Sequence, residues 1–393
     1  MVLLNQIKKY LENRKLSSNP LVAELQRALS RDRVLEDEVD RITHSTDESI
    51  FEGGTAGPVC FPISTEEVQS IMRIAQKFEH PVIPRGAGSG LAGGAVPLGA
   101  PIVVAMTEMK EIQEVDLDNR IAWVEPGVIN LELTDYLRPM GFHYAPDPSS
   151  QQICTIGGNV ANNSGGPHCL ADGVTDSHVL AIEVVLPDGE VCQFGGIDAE
   201  PTGLDLRGAF IGSEGTLGIA TKIAVRLTPN PQDVQTILIS FPTMRKAAET
   251  VSAVIAAGIV PAAMEAMDQR TIEVIENHIP SGYPTDVGAV LLIEVEGLPD
   301  GVEIETLRIC EVAENHEALE IRIAQSSWQR EALWKGRKGA FGASTYLAPN
   351  YYLHDTVVPR SELANVLDKV NQLAAENDLM LMNVFHAGDG NLH

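Results

Sequence analysis

The hydrophobic pattern changes character twice along the chain. Residues 1–53 read as a polar N-terminal helical segment; within it "NPLVAELQRALS" is amphipathic, with Asn19 and Pro20 placed as a start signal. "STEEVQSIMRIAQKF" (64–78) predicts a further helix, with Ser64 as N-cap and Glu67 three residues on in capping-box position. Between residues 80 and 230 helical spacing gives way to short β-rich runs, "PVIP", "PIVVAM", "RIAWVEPG", "LAIEVVLPDGEV" and "IATKIAVRL", divided by Gly-rich turns. The Pro-rich joint "TPNPQ" (228–232) marks a boundary. Beyond it "TILISF", "PAAMEAMD" and "AVLLIEVEG" predict a second sheet, and "TMRKAAETVSAVIAAG" and "VEIETLRICEVAENH" predict helices on it. "ENDLMLMNVF" (376–385) reads as a buried strand and its approach. The class expected is α+β, with boundaries near 1–53, 54–230 and 231–393.

Composition narrows the function more than the fold. The net charge of −26 argues against nucleic acid, whose phosphates need clustered Lys and Arg, and against an anionic membrane surface. An anionic substrate would require a local basic pocket. No apolar run is long enough for a membrane-spanning helix, and no signal-peptide pattern follows the first residues, so the expected address is cytoplasmic. The five cysteines, at 60, 154, 169, 192 and 310, form no C-x-x-C or ferredoxin spacing. Redox chemistry here would need a cofactor other than an iron–sulfur cluster of this chain.

Three glycine-dense stretches suggest that cofactor. In "IPRGAGSGLAGG" (83–94), Gly88 to Gly93 fits G-x-G-x-x-G, but "AVPLGAPIVVAM" follows, where two prolines and a strand leave no room for the helix that a Rossmann fingerprint requires. What remains is a loop of small residues whose free backbone N–H groups suit a pyrophosphate; a plain Gly-rich turn is the simpler alternative. "APDPSSQQICTIGGNVANNSGGP" (145–167) and "GSEGTLGIAT" (212–221) repeat the theme. Three such loops together point to a long polar ligand carrying phosphates.

In this order the three stretches resemble the FAD-binding domain of the vanillyl-alcohol-oxidase (PCMH-type) flavoproteins. "LWKGRKGAFGASTYLAPNYYLHDTVVP" (333–359) and the terminal "HAGDGNLH" narrow the likeness to the FAD-linked oxidase branch. That branch includes the glycolate oxidase FAD subunit and the D-lactate and D-2-hydroxyglutarate dehydrogenases. The resemblance implies a two-subdomain FAD-binding domain followed by an α/β, ferredoxin-like cap domain. It also implies site residues. Pro84, Arg85, Gly86, Gly88, Ser89, Gly90 and Leu91 match the pyrophosphate loop. Pro146, Asp147, Ser150, Gly157, Gly158, Asn162, Gly165 and Gly166 match the second half of the FAD groove. Glu214, Gly215 and Ile219 match a third contact, and Asn391 a flavin-side contact. No histidine lies between 81 and 142, so FAD is expected to be non-covalent.

The substrate implied is a small 2-hydroxy acid such as glycolate or D-lactate. Oxidising it removes a hydride from Cα and a proton from the hydroxyl, so a flavin, a base or metal, and a carboxylate fork are required. Arg337 matches the family's carboxylate arginine; beside Lys335 and Lys338 it could also be a charge on a surface helix. Leu353, where the 2-hydroxyglutarate branch carries a basic residue, favours a monocarboxylate. His386 and His393 match two ligands of a divalent-metal site, zinc or similar. The family continues past this motif to a third ligand and further strands, so the expectation is a truncated chain with a weakened metal site, its cap domain incomplete at the C-terminus. Electrons would pass to additional FAD-fold and iron–sulfur subunits, which are also the route to any peripheral membrane association. The alternative is a catalytically impaired or non-catalytic FAD-binding scaffold subunit or fragment of such a complex.

Overall fold

The computed structural model describes residues 17–197, 203–348 and 350–393. The expected helical start at residues 1–16 lies outside them. The chain forms two compact units. The first comprises residues up to Pro139 with Ser150–Ser164 and His178–Thr228; the second comprises Met140–Ser149, Gly165–Ser177 and Pro229–His393. Two segments that precede the Pro-rich joint in sequence therefore fold with the second unit.

In the first unit the helical signals act as expected. Asn19 Oδ1 accepts the N–H of Leu21 at 3.0 Å, and Pro20 opens the helix Pro20–Leu29. Ser64 caps Thr65–Lys77 by accepting the Glu67 N–H. The reciprocal bond differs from a capping box: Glu67 Oε2 accepts the N–H of Ile63 at 2.9 Å, and its carboxylate also holds Arg33. Leu25, Leu29, Val68 and Ile71 pack on Ile102 and Val104 of a small sheet, all buried. Burying each such side chain stabilises the fold by about 1.5–3 kcal/mol. Val82–Arg85 and Ile102–Ala105 run parallel in that sheet, joined by the Gly-rich loop with no helix between them. The other sheet is antiparallel, in the order Ile112–Asp116, Ile121–Val124, Ile219–Arg226, Val179–Val185, Val191–Gly195.

The second unit is built on a seven-stranded antiparallel sheet. Its order is Glu320–Ile323, Asp233–Phe241, Ala289–Gly297, Ala263–Asp268, Val384–His386, Asn391–Leu392, Thr356–Val357. Its central strands are apolar on both faces, because both are covered. Ile237, Ile239 and Phe241 face the helices Met244–Ala256, Pro299–Asn315 and Leu363–Glu376. Leu238, Leu292 and Met267 face Gln269–His278 and Ser327–Ser344. One strand is shorter than its apolar run predicts. The neighbouring strand ends at Asp268, which turns into a helix cap while its carboxylate accepts both N–H groups of Asn383. Pairing is confined to Val384–His386, and Leu379 and Met380 are exposed.

Candidate functional site

The first unit contains a groove of about 1010 Å³, open to solvent, walled by all three glycine-dense loops. Pro84, Arg85, Gly86, Gly88, Ser89, Gly90, Ser150, Gly157, Gly158, Asn162, Glu214, Gly215 and Ile219 line it. Close backbone approach explains the glycines. A Cβ on Gly86 would stand 2.5 Å from Thr155 Oγ1, and one on Gly215 2.2 Å from Pro84 Cγ. The N–H groups of Gly212 and Glu214 donate to Val160 and Ala161 carbonyls, tying the third loop to the second. The result is a cradle lined by backbone and small side chains, the chemistry that a dinucleotide's pyrophosphate requires.

Arg85 lines the groove and is also held from within its own unit. It is buried, Nη1 donates to the Thr46 carbonyl at 2.7 Å, and burial lowers its pKa while Asp47 opposes the shift. Gly88 curls over it with φ +75°, where a Cβ would lie 2.1 Å from Arg85 Nη2. Leu91 is 40% exposed and stands outside the groove lining.

Pro146, Asp147, Gly165 and Gly166 belong to the second unit. There Gly166 packs against the backbone of Asp147, which leaves no space for a Cβ. Asp147 Oδ2 meets His168 Nδ1 at 2.9 Å and Lys338 Nζ at 3.4 Å. His168 Nε2 lies 3.3 Å from Glu294 Oε1. Glu294 is fully buried and also accepts from Arg330 Nε and Nη2 at 2.9 and 2.8 Å, from Thr236 Oγ1 and from Trp334 Nε1. Glu296 stands close enough to His168 and Glu294 to suggest a metal cluster. The oxygens of Glu294 are already taken by five donors, however, so the group is an ion-pair network.

The substrate-side residues gather elsewhere in the same unit. Arg337 is fully buried on the sheet-facing side of Ser327–Ser344, whereas Lys335 on the same helix is exposed; the surface-charge alternative is excluded. Arg337 Nε donates to Glu265 Oε2 at 2.6 Å, and Nη2 stands 2.5 Å from the same oxygen. Nη1 has no hydrogen-bond partner among the described residues, and the contact of Nη2 is with that one carboxylate oxygen, on the Nε side of the guanidinium. Glu265 Oε1 also lies 2.8 Å from His386 Nδ1. The rings of His386 and His393 meet edge-on with centroids 5.0 Å apart. Burial, with His386 and Arg337 adding to it, pushes His393 down to about 3, so it is neutral at physiological pH. Both its ring nitrogens are buried without a hydrogen-bond partner among the described residues, and Asp355 is 3.8 Å away. Asn391 Oδ1 is likewise buried and unpaired among the described residues. A neutral imidazole with free nitrogens, next to one whose Nδ1 is held by a carboxylate, fits a divalent ion.

Sequence reasoning missed Glu265, Glu294 and His168. The two glutamates stand singly within strand runs and belong to no motif, so the sequence carries no sign that either is part of a site. His168 follows a Gly-rich stretch that carries no motif of its own.

The groove of the first unit suits the pyrophosphate of a dinucleotide, and the chain's relatives make it a flavin-dependent oxidoreductase. The family described as FAD binding domain matches residues 57–195, and that described as FAD linked oxidases, C-terminal domain, matches 230–393. Glycolate oxidase subunit GlcD of Escherichia coli (strain K12) is 42% identical over 85% of this chain and 67% of its own length. Glycolate oxidase subunit GlcD of Bacillus subtilis (strain 168) is 40% identical over 90% and 75%. D-lactate dehydrogenase of Anaerostipes hadrus is 32% identical over 84% and 71%. In fold, the chain matches the solved alkyldihydroxyacetonephosphate synthase with a TM-score of 0.81 at 20% identity, over 99% of this chain and 84% of that one. The chain belongs to the FAD-linked oxidase family, and its cofactor is FAD. Among the described residues, no helix is long and apolar enough to cross a membrane.

Proposed function

We propose that this protein oxidises a small 2-hydroxy acid, glycolate or D-lactate, to the 2-oxo acid. The observation that carries the reading is Arg337: a fully buried guanidinium held by Glu265 on its Nε side, with Nη1 unpaired among the described residues, in the unit that carries His386 and His393. Glu265 offsets the buried charge on one side of the guanidinium, and the planar Nη1–Nη2 edge that remains fits a second carboxylate. FAD, when bound in the groove, supplies the hydride acceptor for Cα. His386 and His393 would hold the divalent ion, whose Lewis acidity favours loss of the hydroxyl proton. The surrounding apolar side chains, Leu333, Ala340 and Val384 among them, keep water from the charged groups and so strengthen their interactions.

The relatives named as glycolate oxidase subunits and as a D-lactate dehydrogenase support this substrate class. By the family resemblance, Leu353 replaces the basic residue of the 2-hydroxyglutarate branch, which favours a monocarboxylate. By the same likeness we read the chain as one subunit of a larger oxidase, passing electrons to partner redox subunits in the cytoplasm.

The test is anaerobic mixing of the FAD-loaded protein with glycolate, D-lactate and L-lactate, followed by flavin absorbance. Bleaching by glycolate or D-lactate is expected. An unchanged flavin spectrum with every 2-hydroxy acid would overturn the reading in favour of a non-catalytic FAD-binding subunit.

A further inference from the structure

Glu265 stands on the sheet face occupied by Ala263 and Met267, within an apolar cluster, and none of it is exposed. Alternation along the strand Ala263–Asp268 calls for a hydrophobic residue at that position. An isolated carboxylate there would cost several kcal/mol in lost hydration, so its contacts account for its presence. Two groups make them. Arg337 reaches Oε2 from the Ser327–Ser344 helix, and His386 is the residue directly opposite Glu265 in the β-ladder, with Nδ1 2.8 and 3.0 Å from the two oxygens.

One carboxylate thus meets two groups of different function. On the arginine, Glu265 occupies the Nε side of the guanidinium. The edge formed by Nη1 and Nη2 retains unpaired donors, so an incoming carboxylate can be gripped end-on by two parallel hydrogen bonds. On the histidine, the carboxylate can only accept, so Nδ1 must carry the hydrogen in the neutral ring. The lone pair then resides on Nε2, the nitrogen left to face an ion or a hydroxyl proton.

We propose that Glu265 is a positioning residue for 2-hydroxy-acid oxidation, a single buried carboxylate that orients Arg337 for end-on capture of the substrate carboxylate and sets His386 in its Nδ1–H tautomer. The role rests on the reading of Arg337 and His386 given above. It couples the two: displacing the carboxylate rotates the fork and releases the imidazole together. Gln has nearly the same shape but brings an NH₂ group that cannot accept from both Arg337 and His386.

The experiment has two arms. In the wild-type protein, ¹⁵N spectra of the histidine side chains should show His386 with its hydrogen on Nδ1. In E265Q the flavin content should be unchanged, because the groove is built from other residues. Flavin reduction by the 2-hydroxy acid should slow by roughly 10–100-fold, with half-saturation raised, and zinc affinity should fall by a similar factor. E265D should recover part of each. A residue of purely structural role would lower thermal stability yet leave the tautomer, the half-saturation and the zinc affinity of the folded protein as they were. A wild-type His386 carrying its hydrogen on Nε2 overturns the proposal, and so do wild-type reduction kinetics in E265Q. Should E265Q fail to fold, the wild-type tautomer decides. If no 2-hydroxy acid reduces the wild-type flavin, the substrate reading fails, and the tautomer and zinc affinity still test Glu265.

Discussion

The imidazole of His168 contacts the Asp147 carboxylate through Nδ1 at 2.9 Å, and its other ring nitrogen faces Glu294. Carboxylates only accept, so the ring must donate from both nitrogens, and His168 is an imidazolium. Burial opposes that charge; Asp147 and Glu294 outweigh it and hold the pKa well above the usual value of 6.5. Burial likewise opposes ionisation of Asp147, and His168 and Lys338 still bring it down to about 2.

The pH dependence follows with a definite sign. The raised His168 pKa stabilises the fold fully below the unfolded value of about 6.5, and that contribution is lost as pH rises through the folded value. The depressed Asp147 pKa stabilises above about 3.9 and is lost as pH falls toward 2. Thermal unfolding of wild type and H168Q should therefore differ most at about pH 5–6 and converge in alkali. A constant difference across that range would contradict the imidazolium assignment.

Glu294 is the acceptor on which Arg330, Trp334, Thr236 and His168 converge. E294A should destabilise the second unit by about 3–5 kcal/mol, because it leaves buried donors and cations uncompensated. Denaturant titration measures this, and a loss below about 1 kcal/mol would match a solvent-screened surface pair instead.

Gly88→Ala should lower the flavin content of purified protein. The new Cβ would displace the Arg85 guanidinium, and the positive φ adds about 1–3 kcal/mol of strain. Gly99→Ala is the control: φ is +71° there, but nothing lies within 4 Å of the added carbon. Equal flavin loss in both variants would assign the effect to backbone strain alone.

Arg337→Lys should retain flavin and lose substrate use by about 2–5 kcal/mol in kcat/KM. A point charge cannot grip Glu265 and a substrate carboxylate with one planar fork. Unaltered kcat/KM for the 2-hydroxy acid would remove Arg337 from the site.

His393→Gln should abolish retention of a divalent ion through gel filtration, with flavin absorbance preserved, since His393 contributes the free imidazole nitrogens of the pair. Metal analysis of the protein fraction reads this directly. Full retention would place the ion elsewhere.

Local patterns in the sequence determined the helix caps at Asn19 and Ser64, the strand runs, the Pro-rich joint and the three glycine-dense loops. Each is a short-range effect: a side chain capping its own helix, a proline without an N–H, a glycine where no Cβ fits. The tertiary structure decided what those loops and charges meet. Residues 140–149 and 165–177 joined the second unit, where Asp147 meets His168. The end of one strand at Asp268 cut short the run at 379–383, because an apolar strand needs a neighbour to pair with. Arg337 and Glu265 are 72 residues apart, and nothing local to either names the other as its partner. Only the helix crossing the sheet brings the two charges together, where each makes the other's desolvation tolerable.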